Sequence, residues 1–270
     1  MLAELPEDDA AGEIAGIYGE IRRLWAVPYV SSLQRHLASR PGWLEWSWRA
    51  LAPAFVSGAA QTSGWGVAEH LTLPPTGLIA PTELCLTSSD WQSIQDICFS
   101  FVRVAPVNLM FAGLLRCLLK GRNPVGPGWQ GDNWVPPKPM PPLPQMVNMG
   151  TQSVEQRAAL AKLGTDVDGE QLVPGLYRIL AQWPAVLAYL GDALPPLASA
   201  PETIAARAEL LRGIDAAVEE IFAQLPPLKT GAAPPRDGRD GVLAALDAYR
   251  LTSPEMVIFG RIIICLGARD

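Results

Sequence analysis

"RHLASRPGWLEWSWRALAP" (Arg35–Pro53) and "RILAQWPAVLAYLGDALPP" (Arg178–Pro196) are two copies of one pattern. At a constant offset of 143 the identities include Arg35/Arg178, Leu37/Leu180, Ala38/Ala181, Pro41/Pro184, Leu44/Leu187, Leu51/Leu194 and Pro53/Pro196. Self-similarity at one fixed offset is a property of the fold rather than of a single motif. In each copy a helix should end before the proline, because the residue preceding a proline avoids the right-handed helical region. The proline should then sit in the first turn of the next helix, where no N–H is needed. Arg35 and Arg178 read as structural residues holding equivalent turns.

Outward from these copies the spacing stays helical. "GEIAGIYGEIRRLW" sets Ile14, Ile17, Ile21 and Leu24 on one face. "ETIAARAELLRGIDAAVEEIFAQL" does the same with Ile204, Leu211, Ile214, Val218, Ile221 and Leu225. Alternation of β-branched residues is almost absent. The predicted class is all-α: two related helical repeats, residues 1–122 and 151–270, packed as a pseudo-dimer. Between them, residues 123–150 form a Pro/Gly-rich linker, whose proline-dense part should be extended and stiff. A second loop, "PPLKTGAAPPRDGRD", precedes the last helical region. Two such halves leave a cleft between them, a common place for a ligand.

Bulk properties narrow the function classes. The 270 residues are 49% hydrophobic and 18% charged, enough to bury a sizeable core. The net charge of −6 and the lack of a basic run argue against a nucleic-acid partner. Cys85, Cys98, Cys117 and Cys265 are scattered, and His36 and His70 lie far apart, so no metal-ligand spacing appears. The cysteines read as small buried hydrophobes in a reducing, cytoplasmic setting. The acidic N-terminus is unlike a signal peptide. The long apolar run Ile97–Leu119 is interrupted by Arg103, Asn108 and Arg116 and carries Pro106 at its middle. It is expected as two buried helices or one kinked helix, not as a membrane span. No P-loop, G-x-S-x-G, H-E-x-x-H or dinucleotide fingerprint is present, so no cofactor is expected. The expected partner is a small molecule, and a homodimer is left open.

Several polar groups are candidates for chemistry. Tyr29, Ser32 and His36 would share a helical face if the helix starts by Pro28, and could bind an acid or move a proton. Arg103 and Asn108 lie inside the apolar run. A buried arginine needs an anion, either Asp96 seven residues earlier or a ligand. Tyr177 stands beside Arg178. Glu45 lies among Trp43, Trp46 and Trp48, which would raise its pKa if they surround it, or it lies on an exposed helix face. Asp132 sits between tryptophans in a loop, "WQGDNW", as a functional group or a solvated turn.

Taken in order, "GEIAGIYGEIRRLWAVPYVSSLQRHLASRPGWLEWSWR", "VPPKPMPPLP", "LAQWPAVL" and "LTSPE" resemble the DehI-type group I DL-2-haloacid dehalogenases. The resemblance implies an all-α pseudo-dimer with its site between the repeats. It also implies hydrolysis of a short 2-haloacid by an aspartate that activates water. Matching by position puts Leu176 where the family has that aspartate, Gly175 at the neighbouring serine, and Ala105 at a companion asparagine before Pro106. The aromatic wall survives as Tyr29, but its second aromatic becomes Ser32. Substrate-binding candidates are therefore Tyr29, Ser32, Ala105, Asn108, Gly175 and Leu176, and candidates for catalysis are Tyr29, Ser32, Arg103, Asn108 and Tyr177. A leucine cannot take a proton, so the water-activating apparatus is missing.

Three functions remain open at this level. One is a cofactor-free, non-hydrolytic step (cyclisation, elimination or isomerisation) on a small or medium hydrophobic metabolite of a biosynthetic pathway. The second is hydrolysis of 2-haloacids or related organic acids by a relocated carboxylate, with Asp96, Asp132, Asp168 or Glu170 as candidates. The third is binding without catalysis.

Overall fold

The computed structural model of the chain describes residues 3–75, 81–130, 134–167, 169–228, 233–235 and 237–266. Among them are ten α-helices: α1 (Gly12–Trp25), α2 (Ser32–Ala38), α3 (Trp43–Val56), α4 (Ala59–His70), α5 (Ser88–Leu119), α6 (Val154–Lys162), α7 (Gly175–Leu180), α8 (Pro184–Ala198), α9 (Pro201–Gln224) and α10 (Arg239–Leu266). The all-α expectation holds. A two-stranded antiparallel hairpin adds to it, β1 (Thr165–Val167) pairing with β2 (Glu170–Leu172), Thr165 opposite Leu172. Its strands are too short for an alternation signal, and its local cue is the Asp168-Gly169 pair typical of tight hairpin turns.

The apolar run is one uninterrupted helix, not two. α5 continues through Pro106 and is buried on almost every side from Ile94 to Leu119. It is long and apolar enough to cross a membrane, yet most of that stretch is covered by the rest of the chain. Its start is fixed by a reciprocal cap: Thr87 accepts from the Asp90 N–H while the Asp90 carboxylate accepts from the Thr87 N–H. α10 lies along α5 in the most extensive helix pairing among the described residues. Gly260 allows that approach, because a Cβ there would stand 2.7 Å from Val102.

A short helix from early in the chain packs on a late long one, and a short helix from late in the chain packs on an earlier long one. The short helix α2 packs on α10, and the short helix α7 packs on α5. The Trp43 indole donates to the Asp237 carbonyl, just before α10, at 2.8 Å. The Trp183 indole donates to Asp90, in the first turn of α5, at 2.9 Å. The carbonyls of Arg35 and Arg178 each receive a backbone N–H from an incoming segment, from Leu5 at 3.0 Å and Val147 at 3.1 Å. The structural role expected of these two arginines is therefore played by their main chains, while the Arg35 guanidinium pairs with Glu4 at 2.6 Å.

Two details of the sequence reading change. Pro184 opens α8 as expected, but Pro41 precedes α3 by two residues, and a left-handed Gly42 (φ 76°) makes the entry. On α9 the buried stripe runs through Thr203, Ala206, Leu210 and Ile214, leaving Ile204 53% exposed. The spacing around Ile204 fits either phase, and packing against α4 and α5 selects the other one.

Among the described residues the linker has no helix between Gly121 and Asn148. It is tied down by backbone bonds at Gly126 to Leu225 (2.9 Å), Gly128 to Gln224 (2.9 Å), Met140 to Ala26 (3.1 Å) and Val147 to Arg178 (3.1 Å). Trp134 packs against Trp65 and over Gly58. At Gly126 any Cβ would run into the Ala223–Gln224 backbone. Gly126→Ala should therefore lift the linker off the end of α9. The expected loss is about 1–3 kcal/mol, seen as a melting temperature several degrees lower by circular dichroism.

Candidate functional site

Asn108 lies on α5, two residues after Pro106, with no exposed surface. Its amide N–H groups donate to Ser31 Oγ at 2.7 Å and to the Tyr249 hydroxyl at 3.0 Å. Its Oδ1 accepts from Gln34 Nε2 at 3.2 Å. Ser31 immediately precedes α2 and Gln34 lies within it, while Tyr249 comes from α10, so this one side chain joins both halves. Ser253, one turn further along α10, also bonds the Tyr249 hydroxyl. Buried polar groups survive only when such partners are supplied.

The face of α5 that carries Asn108 also carries Ala105 and Phe101, at helical spacing. Phe101 packs against Tyr29, ring centres 5.7 Å apart. A Cβ on Gly175 would stand 3.4 Å from the Phe101 ring and 2.8 Å from Met146 of the linker. Leu176, next in α7, is fully buried. Tyr29 and Gly175, far apart in sequence, thus meet at Phe101 on one strip of α5, which continues through Ala105 to Asn108, while Leu176 follows Gly175 in α7.

Other expected members stand elsewhere. Tyr29 precedes α2, so it does not share a helical face with Ser32 and His36. Its ring is partly exposed, but its hydroxyl is buried without a partner. Ser32 opens α2 beside Ser31. The His36 ring is tied to the Ala3 carbonyl at 2.7 Å and accepts from Arg40 at 3.2 Å, and burial lowers its pKa. Among the described residues Arg103 meets neither Asp96 nor another anion. It donates to the carbonyls of Ala26 (3.2 Å) and Lys138 (2.9 Å), fastening the linker to the end of α1. Asp96 bonds Gln92 at the helix surface. Glu45 is half-buried rather than exposed. Asp132, Asp168 and the side chain of Glu170 lie outside the described residues.

Tyr177 is buried in a second cluster, with Cys98 of α5 and the ion pair Arg207–Glu255 (2.6 Å) near enough to act on it electrostatically. Burial raises the Glu255 pKa, and Arg207 opposes that shift. Sequence reasoning missed Glu255, along with Ser31, Gln34, Phe101 and Tyr249. Ser31 carried a local signal, as a serine just ahead of an apolar run. Tyr249 carried none, since only the packing of α10 brings it to Asn108. Surface hollows of about 320 Å³ by Arg122 and Arg239, and of about 350 Å³ by His70 and Glu209, lie away from these groups.

Burial holds the phenols in their neutral form. Tyr29 and Tyr177 are pushed well above the ordinary phenol range, and Tyr249 is raised against the opposing effect of its hydrogen bonds. Tyr18 is raised to about 12. At neutral pH the strip therefore presents proton donors and an amide, with no phenolate base.

No family model matches the chain. A configuration-inverting 2-haloacid dehalogenase of Alcaligenes xylosoxydans xylosoxydans is 25% identical over 246 residues, 83% of this chain and 82% of that protein. A solved D-2-haloacid dehalogenase mutant in complex with D-2-CPA superposes with a TM-score of 0.75 at 19% identity, over 99% of this chain and 96% of that one. A D-2-haloacid dehalogenase in complex with L-LA gives a TM-score of 0.71 at 18% identity, over 100% and 96%. The resemblance read in the sequence thus extends to the fold over the whole chain.

Two outcomes follow from the cluster. Asn108→Leu should leave Ser31, Gln34 and Tyr249 short of partners and cost about 3 kcal/mol or more, at roughly 1–3 per stranded buried group, in urea unfolding monitored by fluorescence. Stability should be insensitive to these tyrosines below about pH 10, the ordinary phenol value. Above it the unfolded chain sheds phenolic protons that the folded chain keeps, so unfolding becomes easier as pH rises. A melting-temperature series from pH 8 to 11 that stays flat would contradict this.

Proposed function

We propose that this chain, a relative of the 2-haloacid dehalogenases in sequence and fold, holds a small or medium hydrophobic metabolite on the α5 strip without hydrolysing it by an activated water. The observation that carries this is Leu176. It is fully buried and apolar at the position matched to the water-activating aspartate, and the companion position is Ala105. The carboxylates whose charge reaches the site phenols are committed elsewhere. Glu7 is held by Arg22 and the Val30 N–H, and Glu4 by Arg35.

What the strip offers is positioning and hydrogen-bond donation. Tyr29 and Phe101 form an aromatic wall, Ala105 and Leu176 an apolar floor, and Asn108 with Tyr249 a neutral polar end. Donors held in a dry site can polarise a carbonyl oxygen as charge builds on it, lowering the barrier to a rearrangement, cyclisation or elimination. A bound skeleton held close to its reactive shape gains further from lost freedom already given up on binding. Cofactor independence and a place in a biosynthetic pathway belong to the same proposal. So does the division into repeats at 1–122 and 151–270 across the linker 123–150. Its support is five helices in the same order on each side, with short and long helices exchanged between them.

One observation favours a second reading. Glu255 is a largely buried carboxylate of raised pKa beside Tyr177, the kind of group that serves as a general base. Hydrolysis of an organic acid would then run from the α7–α9–α10 side.

Chloride release from both enantiomers of 2-chloropropionate separates the two. The proposal expects none above the uncatalysed rate, since a general base alone is worth roughly 10²–10⁴-fold. Leu176→Asp should not recover it while Ala105 remains. Robust release that is lost in Glu255→Gln would replace the first reading by the second.

A further inference from the structure

The polar end of the strip is incompletely satisfied, and the missing partners have a definite character. Tyr29 Oη and Gln34 Oε1 are both buried with no hydrogen-bond partner. Leaving such groups unpaired costs about 1–3 kcal/mol each, so they mark where a bound molecule has something to supply.

The direction of the network follows from counting protons. With Asn108 donating to Ser31 and Tyr249 and accepting from Gln34, both Asn108 N–H groups are used. Gln34 then keeps a free carbonyl oxygen and one spare N–H. Turning both amides over would strand one N–H on Asn108 and two on Gln34. The first arrangement leaves fewer buried donors idle. Gln34 therefore presents an acceptor that wants a proton, beside one N–H, and Tyr29 adds a hydroxyl that can give a proton.

The charges near the polar end are already paired among themselves. Glu7 is held by Arg22, and of the two charges that act on Tyr29 the cation Arg35 acts more strongly than Glu7. Arg35, the cation that acts on Tyr29, is already paired with Glu4 at 2.6 Å. A carboxylate placed here would offer two acceptors to a site that has a free acceptor of its own, with no unpaired cation facing it.

We infer that the site is specific for a molecule whose polar end is an uncharged donor-plus-acceptor group, a primary carboxamide or a hydroxyl-bearing carbonyl, and that it rejects the corresponding carboxylate. This inference rests on the α5 strip being the binding site, as proposed above. The ligand oxygen takes the proton of Tyr29, the ligand N–H or O–H meets Gln34 Oε1, and the alkyl part lies on Ala105, Leu176 and Phe101. The partly exposed edge of Tyr29 gives the way in.

The test compares 2-chloropropionamide with 2-chloropropionate, two probes of one skeleton, by ligand-observed NMR titration of the full chain at pH 7.5. The amide should bind about tenfold or more tightly than the carboxylate. Gln34→Met, which keeps the volume, and Tyr29→Phe, which removes only the hydroxyl, should each bring the two affinities to within about twofold, with circular dichroism confirming the fold. Equal or tighter binding of the carboxylate, an unchanged preference in both variants, or binding of neither probe overturns the inference. Ala105→Leu tests the underlying reading separately. If it leaves binding of whichever probe binds untouched, the ligand lies off the strip and the proposed function itself falls.

Discussion

A 32-residue helix that is apolar on nearly every side cannot stand in water, and α5 is such a helix. Burying its side chains is favourable by about 1.5–3 kcal/mol for each large one, but no single neighbour covers more than one stripe of it. The chain meets this by surrounding α5 with α4, α9 and α10 and closing the ring with the short helices. A helix this apolar therefore forces both halves of the chain to fold around one element. The Pro-rich linker is the length of chain that lets the second half reach it, pinned on its way by the Gly126, Met140 and Val147 bonds.

That constraint explains where the polar groups lie. A polar side chain in the buried stretch of α5 has no route to water, so Asn108 must be answered from inside. Ser31, Gln34 and Tyr249 answer it, and because they come from α2 and α10 the hydrogen bonds fix how the two halves meet. Apolar packing alone tolerates sliding, whereas a bonded amide does not. Arg103 shows the same logic at the edge of the helix, where carbonyls of Ala26 and Lys138 take the place of the anion that a buried guanidinium would otherwise require. The same interior that satisfies Asn108 leaves Tyr29 Oη and Gln34 Oε1 open, so the region that orders the fold also carries unmet hydrogen bonds.

In the proposed reading the site differs from a hydrolytic one in kind rather than in degree. Leu176 and Ala105 stand where the family resemblance would place a carboxylate and an amide, and burial keeps the phenols of Tyr29 and Tyr249 neutral. Glu255 keeps a carboxylate in the interior, but next to Arg207, in the separate surroundings of Tyr177. Two polar clusters of different character, one neutral at Asn108 and one ionic near Cys98, thus lie along α5.

Much of this was written in the chain. The internal repeat, the helical spacing, the apolar run and the proline-dense linker follow from local chemistry, in which side-chain period and backbone restriction act residue by residue, and they set the all-α class. The resemblance carried by the repeat copies and linker pointed to Tyr29, Gly175, Leu176 and Ala105, and of these Tyr29 and Gly175 come together at Phe101 of α5. What the chain could not show were contacts between residues 35 to 141 positions apart: Tyr249 and Gln34 meeting at Asn108, Glu255 near Tyr177, and Arg103 meeting carbonyls instead of Asp96. Each depends on which phase of a helix faces its neighbour and on which donor finds which acceptor. Those choices are made only when the halves close around α5, because a buried polar group takes the partner that packing delivers rather than the one nearest in sequence.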